Sequence, residues 1–77
     1  MTDYRTQESI DSILNQWQTN NPTLYLVKES IKIKHADPDL GIFTLYFSSK
    51  TPDGDTDMVK IKSIKTKDGV WRLNHLK

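Results

Sequence analysis

Residues 58–77 read MVKIKSIKTKDGVWRLNHLK, two alternating runs joined at Lys67-Asp68-Gly69. Asp-Gly between alternating segments is the strongest short-range hairpin signal in a sequence. Val59, Ile61, Ile64, Trp71 and Leu73 are the inward candidates, interleaved with Lys60, Lys62, Lys65, Lys67 and Arg72. One face of the ribbon is therefore expected to be core and the other basic. The alternation slips at Ser63-Ile64, which predicts a β-bulge there and a curved sheet.

Upstream, a helix is expected over about residues 3–19. Ile10, Ile13, Leu14 and Trp17 fall at i, i+3, i+4 and i+7 and make one apolar stripe. Thr2 or Asp3 is the expected N-cap, and acidic residues at that end suit the helix dipole. Asn20 or Asn21 is expected to turn left-handed at the C-terminus, before Pro22. The period then changes to two. Strands are expected over about 24–35, 42–50, 57–66 and 70–76, with a bulge near Lys28-Glu29 where the alternation of the first one shifts. Asp37-Pro38-Asp39-Leu40-Gly41 and Thr51-Pro52-Asp53-Gly54-Asp55 supply the other turns. Phe43, Leu45 and Phe47 line one side of the second strand, with Thr44, Tyr46 and Ser48 on the other. Short turns imply an antiparallel meander in the order 1-2-3-4. The expected fold is α+β, one N-terminal helix packed on a curved four-stranded antiparallel sheet (αββββ), in a single small domain spanning residues 1–77.

A chain of 77 residues has room for one modest core. It contains no cysteine, which excludes disulfides and thiolate chemistry and fits a reducing, cytoplasmic setting. The start, MTDYRTQESI, has neither the basic nor the apolar region of a secretory signal. No apolar run approaches the roughly 20 residues that span a bilayer, so no membrane partner is expected. The net charge of +1 is divided unevenly, with −2 over residues 1–23 and +3 over residues 24–77.

The last hairpin carries a resemblance. A long basic-apolar strand followed by Lys67, Asp68, Gly69, Val70, Trp71, Arg72 and Leu73 is similar to the closing hairpin of many NTF2-like domains. One helix before a four-stranded meander resembles the cystatin-like and NTF2-like superfamily as a whole. The resemblance implies a fold and transfers no functional residue. Catalytic NTF2-like proteins are longer, with extra helices closing a pocket. The Gln-x-Val-x-Gly loop of inhibitory cystatins has no counterpart in residues 35–41.

Several residues invite chemistry without completing it. Asp53, Asp55 and Asp57 have the spacing that opens a calcium loop, but Met58 and Ile64 occupy the positions that need Gly and Glu. His35 and His75 have neither a metal-ligating spacing nor a cysteine to complete a zinc set. There is no nucleophile elbow and no phosphate-binding glycine loop. No catalytic residue, metal or cofactor is therefore expected. The functional candidates are Lys32, Lys34, Tyr46, Lys60, Lys62, Lys65 and Arg72, read with Lys67 as a basic sheet face around a central aromatic. The leading reading is a non-catalytic, regulatory or protein-binding module using that face or an edge strand, with another protein or a second copy as partner. A nucleic-acid-binding domain is the second reading, since lysines neutralise phosphates and a tyrosine can stack a base. A vestigial NTF2-like enzyme is the third.

Overall fold

The computed structural model describes residues 4–76. Tyr4–Asn20 forms α1, followed by β1 (Tyr25–Asp37), β2 (Ile42–Lys50), β3 (Thr56–Lys65) and β4 (Trp71–His75). The strands make one antiparallel sheet in the order β1-β2-β3-β4. The αββββ architecture expected of the sequence is thus the one observed.

The 3.6-residue period of α1 buries Ile10, Ile13, Leu14 and Trp17 on one stripe, with Thr6 one turn before them. That stripe meets the face of the sheet on which the two-residue period of β2 places Phe43, Leu45 and Phe47. Trp17 stands edge-on to Phe47 with ring centroids 4.9 Å apart, and Phe43 stands edge-on to Trp71 at 5.4 Å. Such geometry sets the positive ring edge against the negative ring face. Ile61 and Trp71 complete the buried cluster, and Leu24, Leu26, Ile31, Val59 and Leu73 pack around it. The Gln16 side chain also donates a hydrogen bond to the Trp71 carbonyl, tying α1 to the far edge of the sheet.

The helix ends differently from expectation. No described residue other than glycine has positive φ, so neither Asn20 nor Asn21 turns left-handed. The Asn21 backbone N–H donates to Trp17 O and Gln18 O at 2.9 and 3.2 Å, and side chains add further bonds at this end. Asn21 Nδ2 donates to Trp17 O at 2.9 Å, and Gln18 Nε2 donates to Asn21 O and Leu24 O at 3.1 and 2.6 Å. The caps expected of Thr2 and Asp3 lie outside the described residues, and the first turn of α1 holds no acidic residue.

Two of the three turns are built alike. In Thr51-Pro52-Asp53-Gly54-Asp55 and Thr66-Lys67-Asp68-Gly69-Val70, the glycine N–H donates to the threonine carbonyl, at 2.9 and 3.0 Å. The threonine N–H donates to the carbonyl four residues on, at 2.9 and 2.8 Å. With φ of +93° and +81° at the two glycines, each is a tight turn closed by a left-handed residue, a form that matches strand twist. Asp53 is therefore the counterpart of Asp68, a turn residue in both cases.

The irregularities of the sheet are concentrated in β1. Registers between β2 and β3 and between β3 and β4 run without a slip, so the bulge expected at Ser63-Ile64 is absent. Ser63 keeps its inward place and is fully buried, while Ile64 turns to the opposite face, opposite Ile42 and Arg72. The β1–β2 register shifts twice, between Val27 and Lys32 and again between Ile33 and His35. At the first shift, where a bulge was expected, Ser30 Oγ donates to Val27 O at 2.6 Å and accepts from Ser48 N at 2.7 Å. The hydroxyl takes the place of a missing backbone partner.

Candidate functional site

The helix covers one face of the sheet and leaves the other uncovered among the described residues. Residues paired directly across antiparallel strands share a face, so the registers define what the open one carries. One row is His35, Thr44, Lys62 and Asn74, and its neighbour is Lys32, Tyr46 and Lys60. Towards the β1–β2 turn the row is Asp37, Ile42, Ile64 and Arg72, and at the other end come Val27, Ser48 and Met58 and then Tyr25, Lys50 and Thr56. Lys34 is the extra residue at the second shift of β1, and its Nζ lies 5.4 Å from the centre of the Tyr46 ring. Lys60 Nζ lies 5.3 Å from the same ring.

Lys32, Lys34, Tyr46, Lys60, Lys62 and Arg72 are thus gathered on one surface, as the sequence suggested. Lys65 is not among them. It pairs with Trp71 on the helix-covered side, its Nζ 5.9 Å from the indole ring. The slip predicted at Ser63-Ile64 would have carried Lys65 to the open face, and the regular register of β3 keeps it away. Lys67 belongs to the β3–β4 turn rather than to the face.

The electrostatics of this surface are one-sided. Among the strand residues that the registers and the Lys34–Tyr46 contact place on it, six cations (Lys32, Lys34, Lys50, Lys60, Lys62 and Arg72) face one carboxylate, Asp37, at the margin. Asp37 Oδ1 accepts a hydrogen bond from Leu40 N at 3.0 Å, so it serves its own turn. Among the described residues no carboxylate forms an ion pair with these six cations, and the one ion pair seen is Arg5 with Asp39 at 3.5 Å. The Tyr46 ring holds two ammonium groups by cation–π attraction, each contact being worth about 0.5–1 kcal/mol at an exposed site. Between the charges lie apolar groups, half-buried Ile42 and Ile64 and largely exposed Met58.

A second concavity lies between α1 and β1. It is a half-open groove of about 850 Å³ with Ile10 and Leu14 on the helix side and Leu26, Ile31 and Ile33 on the strand side. Asp11 and Lys28 stand on its rim. Sequence reasoning missed it, because a groove is a property of how far the helix sits from an edge strand. Its lining residue Ile33 stays 44% exposed, which strand parity alone does not show.

The remaining candidates are dispersed. His35 and His75 stand on opposite edge strands and opposite faces of the sheet. Asp53 and Asp55 belong to the β2–β3 connection and Asp57 begins the exposed end of β3. Among the described residues, no group of three His, Cys, Asp or Glu side chains could hold a metal ion. No described helix is long and apolar enough to cross a membrane. Compared with known proteins, the chain matches no family model, no curated protein and no solved structure.

Proposed function

We propose that the chain is a small, non-catalytic binding module that recognises an acidic partner protein on the open face of its sheet. The observation that carries the reading is the separation of charge. Six cations share one face with Tyr46 in a protein whose net charge is +1. A carboxylate brought to this face meets cations that have no carboxylate partner to give up. The apolar groups among them add contact area of the kind that protein surfaces supply.

Two other partners fit less well. Self-association through this face by a two-fold axis would set one six-cation surface against another, at a repulsive cost. Nucleic acid is favoured by one feature, an aromatic ring among lysines. That ring is already engaged by Lys34 and Lys60, so a base would have to displace both ammonium groups before stacking. A cysteine-free chain loses nothing in a reducing compartment, and a cytoplasmic setting is part of the proposal.

The test is an NMR titration with a glutamate-rich peptide and, separately, with single-stranded oligothymidylate. Expected are amide shifts centred on Thr44, Tyr46, Lys60 and Lys62 with the peptide, weakening as salt is raised. Saturable binding of the oligonucleotide at lower concentration than the peptide would overturn the reading. Peptide-induced shifts confined to α1 would overturn it as well.

A further inference from the structure

The open face ends at β1, whose outer edge pairs with no other strand among the described residues. It is the outer strand of the sheet and spans 13 residues, whereas β4 at the other edge spans 5. Across Ile31–Lys34 its side chains are sorted by kind. Ile31 and Ile33 line the groove beside α1, while Lys32 and Lys34 lie on the open face with Tyr46. A strand laid along this edge would place alternate side chains into the apolar groove and over the lysines.

We propose that β1 accepts an extended peptide segment by strand addition, and that the preferred segment alternates acidic and apolar residues. The inference rests on the acid-binding reading of the open face and adds to it the mode of docking. Backbone hydrogen bonds to the free edge would supply affinity, and the two side-chain environments would supply the pattern. The apolar residues fill the space between Leu14 and Ile33, where the rim charges of Asp11 and Lys28 are of opposite sign and favour neither charge in the ligand. The acidic residues meet Lys32 and Lys34.

Pairing of this segment with a second copy of the chain is disfavoured by the same charges. A two-fold axis through this segment pairs Lys32 with its own image or with the image of Lys34, and like charges directly opposite destabilise a strand pair. The two register shifts of β1 limit regular pairing to a short segment, which suits a short peptide rather than a long strand. The edge is thus guarded against itself and open to an acidic strand.

The experiment compares three labelled peptides by fluorescence anisotropy, with amide hydrogen exchange on the full chain. One alternates glutamate with leucine or valine. A second has the same composition with the glutamates in one block. A third keeps the alternating sequence but carries N-methyl groups on alternate amides, which removes strand hydrogen bonds and leaves the charge. Expected is about a tenfold preference for the alternating peptide over both controls, since several favourable cross-strand pairs act together. New exchange protection should appear in β1 around Ile31–Lys34. Equal binding of all three, with no protection in β1, would overturn strand addition and leave the acid-binding face standing. Binding of none would overturn both.

Discussion

The two faces of this sheet are written by the same strands and do different work. Along β2, Phe43, Leu45 and Phe47 are fully buried beneath α1, while Thr44, Tyr46 and Ser48 between them are half-buried on the open side. The covered face is apolar and closed by two edge-on aromatic pairs. The open face is cationic and holds its central ring by charge rather than by burial. A substitution on the first should therefore be read in stability, and one on the second in binding. In a domain this small, the few kcal/mol stored under the helix are most of what keeps it folded.

The sharpest way to break that division is Trp17→Ala. Trp17 is 1% exposed and anchors the helix to Phe47. Truncating a buried aromatic typically costs about 3–5 kcal/mol, so the variant should lose its cooperative urea transition at 25 °C. Persistence of a wild-type transition would mean that the helix is not what closes this face.

Ser30→Ala addresses the place where the sheet is repaired rather than packed. It removes the bonds to Val27 O and from Ser48 N, with an expected loss of about 1–2 kcal/mol. The Ser48 amide should exchange faster while amides of the β2–β3 ladder keep their protection. A uniform loss of protection would place Ser30 in the common core instead.

Ser63→Ala should move stability the other way. The Ser63 hydroxyl is fully buried and has no hydrogen-bond partner, a cost without a return in an apolar layer. Its removal should raise the urea midpoint, by about 1 kcal/mol in stability. A fall would mean that the hydroxyl has a bonding partner in solution.

The smallest expected stability change belongs to the open face. Lys60→Ala with Lys62→Ala should shift stability by no more than about 1 kcal/mol, since surface substitutions typically stay near 0.5 kcal/mol each. The same pair should weaken binding of a glutamate-rich peptide. A large loss of stability with unchanged binding would reverse the roles assigned to the two faces.

Most of the architecture was legible because it rests on local periodicity. The stripe Ile10, Ile13, Leu14 and Trp17 could only be one side of a helix. The two Thr-x-Asp-Gly turns announce hairpins wherever they occur. The candidate face was largely legible for the same reason, as Lys32, Lys60 and Lys62 follow from strand parity alone. Lys65 was misplaced and Ile64 was put inside because an inward serine looks like a slip in the pattern. Parity in one strand cannot show whether its neighbours permit that slip.

The sequence by itself determined which segments are helix, strand and turn, and which side chains seek the core. Those are choices made within a few residues, by torsional preference and by the period at which apolar groups recur. The bulge near Lys28-Glu29 was legible in the sequence, but only the tertiary structure decided that β1 takes a second shift and β3 none. A bulge in β3 would have to break ladders on both sides, with β2 and with β4. In β1 it disturbs one ladder and leaves the other edge free. The shifts therefore fell on the edge strand, Ser63 stayed buried between two regular registers, and Lys34 came within reach of Tyr46.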